Sequence, residues 1–107
     1  MAKFLLVYHG GSMAETPEAQ AASMNTWIAW FTTLGAAVVD GGAPTSRAWT
    51  IQSGGTSEGG GANPATGYSV ISAESMDAAS ELAKGCPIIA EGGTVELCET
   101  IDLSGGR

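Results

Sequence analysis

Residues 3–9, KFLLVYH, limit the fold more than any other stretch of the chain. The run is short, aromatic and β-branched, which predicts a strand. Alternation puts Phe4, Leu6 and Tyr8 on one face and Leu5, Val7 and His9 on the other. Both faces are apolar, so a strand of this kind has to be covered on two sides. One side can be covered by helices of the same chain. The other needs a second layer that 107 residues, enough for one domain, do not readily supply.

The helices are legible from their ends. TPEAQAASMNTWIAWFTTLG (16–35) begins with Thr16 as N-cap, Pro17 in the first helical position and Glu18 near the positive end of the dipole. Ser23, Trp27, Trp30, Phe31 and Leu34 form a stripe at helical spacing, and Gly35 closes the helix. Ser75 caps a second helix over 76–84, with Asp77 in its first turn, Lys84 in its last and Gly85 after it. Strands are expected at 36–42, 68–74 and 94–103, and strand character resumes at 46–53. Residues 54–67 are turn chemistry almost throughout, and 86–93 read as a connector.

The order is βαβ, a hairpin excursion, then βαβ. That is the α+β, ferredoxin-like split βαβ pattern, with both helices on one face of an antiparallel sheet and the main strands in the order 4-1-3-2. The simplest cover for the helix-free face is a second copy of the same sheet, so a two-fold homodimer is expected. Residues 1–103 form the expected domain and 104–107 a frayed C-terminal tail.

Charge removes some partners. The formal net charge is −7, and the four basic residues, Lys3, Arg47, Lys84 and Arg107, are scattered. Nucleic acid and anionic membranes both require clustered Lys and Arg. No segment reaches the ~20 apolar residues of a membrane span, and FLLVY is shorter than the apolar region of a secretory signal. A cytoplasmic protein with reduced Cys86 and Cys98 is expected, and two cysteines twelve positions apart make no zinc site. No metal and no cofactor is expected.

With the first strand running up, His9, Asp40, Asn63, Tyr68 and Cys86 fall at one edge of the sheet, together with the glycine-rich loops. His9 and Asp40, at the ends of strands separated by one other, should stand on the order of 10 Å apart, close enough for a small ligand to bridge. A histidine near neutral pH can give or take a proton, and a carboxylate can orient or assist it. Simpler readings stand beside these. His9 can be a strand-end residue satisfied by backbone or water. VVDGG is turn chemistry in which Asp40 bonds the backbone two residues on. EGGGANP lacks the GK[ST] ending of a phosphate cradle and reads as a lid or hairpin loop. Cys86 follows a helix C-terminus in an acidic protein, a poor setting for a nucleophile. Trp49 lies on the hairpin arm, where it can cover the pocket or the partner subunit.

KFLLVYHGG, the capped helix with WIAWFTTLGAAVVDGGAP, and GYSVISAESMDAASELAKGCPIIAEGGTVELCE together resemble the YCII-related proteins, in particular their DGPFAETKE-type branch. The resemblance covers nearly the whole chain and is most specific over 67–99. It implies a dimeric α/β barrel and a His–Asp active-site pair, for which His9 and Asp40 are the positions here. It also shows a departure: where DGPFAETKE would stand the chain has SEGGGANPATG, and only Glu58 and the glycines correspond. Two functions follow as expectations. One is a cofactor-free isomerase- or lyase-like enzyme acting on a small molecule, with His9 and Asp40 catalytic and Arg47, Asn63, Tyr68 and Cys86 as ligand contacts. The other is a non-catalytic homodimer with a degenerate pocket.

Overall fold

Strand β1 (Ala2–His9) lies inside a four-stranded antiparallel sheet, as its two apolar faces require. The computed structural model describes residues 1–11 and 15–103; the expected tail at 104–107 lies outside the described residues. The chain continues through helix α1 (Pro17–Leu34), a 3₁₀ turn at Gly35–Ala37, and strand β2 (Val38–Pro44). A hairpin of β3 (Trp49–Gln52) and β4 (Gly55–Glu58) follows, then β5 (Ala65–Ala73), helix α2 (Met76–Ala83), a single-turn helix α3 (Pro87–Ala90) and β6 (Thr94–Glu99). The main sheet has the order β2-β5-β1-β6, and β3 and β4 make a separate two-stranded ribbon. Counting main strands only, this is the order 4-1-3-2 read from the other edge.

The caps form as their chemistry dictates. Thr16 accepts a hydrogen bond from the Ala19 amide at 3.1 Å, and Ser75 accepts one from the Ala78 amide at the same distance. Each satisfies an amide that has no partner within its helix. Gly35, with φ of 57°, turns the chain out of α1, and its amide bonds the Phe31 carbonyl.

The core lies between sheet and helices. Phe4, Leu6 and Tyr8 of β1 and Ile71 and Ala73 of β5 are buried against Trp30, Ala79, Ala83, Cys86 and Ile88. Trp27 meets Tyr8 edge-on, with ring centroids 5.2 Å apart, and packs beside Trp30 and Phe31. The opposite face carries Leu5, Val7 and Val70, all only half-buried. The molecule is a slab measuring 47 × 44 × 18 Å, thin enough for one sheet and one helical layer.

Four elements differ from the sequence expectation. Gly55–Glu58 is a strand, because pairing with β3 supplies hydrogen bonds that its own composition does not suggest. The connector contains the turn of helix α3, started by Pro87, whose ring presets a helical φ. Strand β6 ends at Glu99, leaving Ile101 outside any element. Strand β2 does not stop at its glycine pair but runs on to Pro44.

Candidate functional site

His9 is placed by an irregularity. Tyr8 stands opposite Gly67 and His9 opposite Ala65, so Thr66 is an extra residue in β5. A bulge of this kind bends its strand and redirects nearby side chains. Thr66 ties the bulge down by donating its hydroxyl to the Gly10 carbonyl. On the other side, the end of β1 meets the start of β6 through paired glycines. A Cβ on Gly93 would lie 2.5 Å from the His9 carbonyl oxygen and 2.9 Å from the Gly11 nitrogen, so only glycine fits.

The imidazole is held at both nitrogens. Nδ1–H donates to the main-chain carbonyls of Asn63 at 3.0 Å and Pro64 at 3.3 Å. Carbonyl oxygens can only accept, so this nitrogen carries a proton. Nε2 stands 2.9 Å from Oε1 of Glu96. With acceptors at both nitrogens, the doubly protonated ring is favoured. The Glu96 hydrogen bond raises the His9 pKa above its ordinary value, partly opposed by desolvation and assisted by the two carbonyls. The His9 side chain is 12% exposed, whereas Glu96 is 62% exposed. The other oxygen of Glu96 receives a weak contact from the Cys98 thiol at 3.9 Å.

The register assigns the neighbours. Val7 faces Tyr68 on β5 and Glu96 on β6. Tyr68, Val7 and Glu96 therefore form one row on the helix-free face, and His9 and Thr94 form the next. Tyr68 is a diagonal neighbour of His9, on the order of 8 Å away between Cα atoms.

Asp40 is not brought to His9. It stands opposite Val70, which faces Leu5, four residues short of His9. Four residues of rise and two strand spacings separate the Cα atoms by on the order of 16 Å. The expected 10 Å assumed that β2 ends at Asp40, whereas it continues to Pro44. The aspartate makes the turn its sequence suggests: Oδ1 accepts from the Gly42 amide at 2.8 Å.

The expected ligand contacts divide. Asn63 reaches the site, but through its carbonyl. Tyr68 lies on the correct face and is exposed. Arg47 is exposed on the arm, away from any ion pair among the described residues. Cys86 lies on the other side of the sheet, buried beside Tyr8, and burial raises its pKa. It cannot share a ligand with His9, because the sheet stands between them. Tyr8 donates to Ser69 Oγ at 2.7 Å, and Ser69 donates to the Gly41 carbonyl at 2.7 Å. Burial pushes the Tyr8 phenol well above its usual range.

Glu96 is the residue that sequence reasoning missed as the partner of His9. The available signal was the two glycine pairs, Gly10–Gly11 after β1 and Gly92–Gly93 before β6. Aligning them sets the register of these neighbouring strands and puts Glu96 on the face of His9. Among the described residues, no group of three His, Cys, Asp or Glu side chains could hold a metal ion, and no helix is long and apolar enough to cross a membrane. The chain matches no known protein-family model and no curated protein.

Proposed function

We propose that His9 and Glu96 form an acid–base pair in a small-molecule site on the helix-free face. The observation that carries this reading is the imidazole fixed at Nδ1 by two carbonyls while Nε2 faces an exposed carboxylate. The carbonyls orient the ring, and Nε2–H is the working proton. A ligand carbonyl or carboxylate takes the place of Glu96 at Nε2. In an isomerisation, Glu96 accepts a proton from the carbon next to a ligand carbonyl while His9 donates one to the carbonyl oxygen. With a hydroxyl on the deprotonated carbon the intermediate is an enediol: Glu96 returns its proton to the former carbonyl carbon, the other hydroxyl gives its proton to His9, and the pair returns to its starting state. This chemistry needs no metal or nucleotide. Asp40, at its distance, is a turn residue, and Tyr68 is a polar group in the row next to His9.

In the same proposal the four-stranded α+β layer is the ferredoxin-like half of a dimeric α/β barrel of the YCII-related type. Two copies meet through their helix-free faces. The half-buried Leu5, Val7 and Val70 support it, since a sheet face of that composition is more stable when covered.

A second reading has its own observation. Both nitrogens of His9 are already bonded within the chain, so the ring can serve only to clasp the 63–64 segment to β6 in a non-catalytic dimer. Two measurements separate the readings. The first follows the single imidazole by NMR over pH 5 to 9 in wild type and Glu96→Gln; the midpoint should lie above about 6.5 and fall in the variant. The second follows deuterium exchange next to the carbonyl in a panel of aromatic and keto acids, with His9→Asn as control. Exchange that depends on His9 supports catalysis. A shifted midpoint with no exchange, and no thermal stabilisation by any acid, leaves the clasp. A midpoint indifferent to Glu96→Gln removes the acid–base pair itself.

A further inference from the structure

When the His9 ring loses a proton, three acceptors still surround it and one N–H remains to serve them. The neutral ring keeps its hydrogen at Nδ1 or at Nε2, and the bonds at the other nitrogen then fail. With the hydrogen at Nε2, a bare Nδ1 lone pair would face the carbonyls of Asn63 and Pro64 at 3.0 and 3.3 Å. With the hydrogen at Nδ1, a bare Nε2 lone pair would face Glu96 at 2.9 Å. Either meeting is repulsive, so the outcome depends on which partner is free to leave.

The carbonyls are not free. Thr66, the extra residue of the β5 bulge, donates its hydroxyl at 3.2 Å to the carbonyl of Gly10, the residue after His9. That bond ties the segment that contains Asn63 and Pro64 to the backbone that carries the ring. Thr45 holds the same segment from the β2 side: its hydroxyl bonds the Ala65 carbonyl and its amide the Thr66 carbonyl, each at 3.0 Å. Gly60 closes on it from the arm, so tightly that a Cβ there would lie 2.8 Å from the Cβ of Pro64. Glu96, by contrast, is a side chain that is 62% exposed. It can rotate into water without disturbing a strand, and exposed pairs of this kind are weakly held. The other titratable groups nearby do not replace it. Cys98 touches Glu96, and Tyr68 is one row away on β5. Thr94, opposite His9 on β6, carries no charge.

We propose that the Thr66 bulge makes His9 an Nδ1–H tautomer once the ring is neutral, with Glu96 released and the Nε2 lone pair open. Thr66 is then a positioning residue that acts through the carbonyls of Asn63 and Pro64. Histidine free in water prefers the opposite tautomer, with its hydrogen at Nε2. The consequence for catalysis rests on the acid–base pair of the proposed function. Nε2 donates only while the ring is charged, so the acid at that position is switched off by a single ionisation as pH rises. A neutral Nε2–H ring would keep a donor there at every pH.

The test reads the single imidazole of the untagged full chain by long-range ¹H–¹⁵N correlation, at a pH above its midpoint. Nδ1 should resonate as a pyrrole-like nitrogen and Nε2 as a pyridine-like one. The reverse pattern, or the averaged shifts of free histidine, overturns the proposal. The wild-type spectrum decides this whether or not any variant folds. Thr66→Val removes the hydroxyl and keeps the branched shape. It should draw the two shifts toward those of free histidine, and Thr66→Ser should restore the wild-type pattern. Wild-type shifts in Thr66→Val overturn the role of Thr66. Glu96→Gln should leave the tautomer unchanged, because main-chain carbonyls fix it, and a changed tautomer overturns that assignment. The midpoint is a separate readout. If it is indifferent to Glu96→Gln, the acid–base pair falls and the tautomer stands.

Discussion

The charged form of His9 is favoured by what surrounds it. Two carbonyls and a carboxylate face its nitrogens, and none of them can donate. Its folded pKa is raised above the unfolded value of about 6.5. The stability it contributes is therefore fully present below about pH 6.5 and is lost as pH rises through the higher folded value. Urea midpoints measured from pH 6 to pH 9 should fall across that window in wild type and fall less in Glu96→Gln. On the helix side of the sheet, Ser69 is fully buried and joins Tyr8 to the Gly41 carbonyl. Ser69→Ala strands a buried phenol and a carbonyl together, at a cost of about 1–3 kcal/mol in urea unfolding. Tyr8→Phe, which leaves Ser69 bonded to Gly41, should cost less.

Among the elements, β2 shows how one glycine sets the geometry of a site. Gly42 has φ of 74°, and a Cβ there would run into the Tyr68 carbonyl. That conformation lets the strand continue past Asp40 to Pro44 and stay paired with β5. Gly42→Ala should destabilise by about 2 kcal/mol or more, read by the same urea titration, from positive φ and collision with the backbone. This is also where the sequence was read wrongly. VVDGG looks like a strand followed by a turn, and the Asp40 turn does form, yet the strand does not end there. The helices were legible, because Thr16, Pro17, Ser75 and Gly35 act on the amides and carbonyls within a turn of themselves. The β4 strand was not, because GTSE has no strand preference of its own and pairs only because β3 lies beside it.

At the scale of the molecule, the chain is a slab with one finished face. Phe4, Leu6, Tyr8 and Ile71 are covered by helices, and Leu5, Val7 and Val70 are not. Val7, between Tyr68 and Glu96, is central to the uncovered face. Val7→Lys should leave the fold intact, since the side chain is only half-buried in one subunit. In the proposed dimer it would place an unpaired charge in the interface, worth about 3–5 kcal/mol. Sedimentation equilibrium should then show association weakened by at least a hundredfold, with unchanged circular dichroism.

Sequence by itself determined the two long helices and the four main strands, the caps, the faces of β1 and the presence of His9 at the end of that strand. All of these depend on periods of two or 3.6 residues and on hydrogen bonds that close within a few positions. Tertiary structure alone decided which acid meets His9. Pairing between strands far apart in sequence sets that choice, and extra residues, two in β2 and one in β5, slide the register along the strand. Because β2 runs on four residues past Asp40, the aspartate stands short of the histidine. Glu96, which β6 delivers from the other side, stands at 2.9 Å.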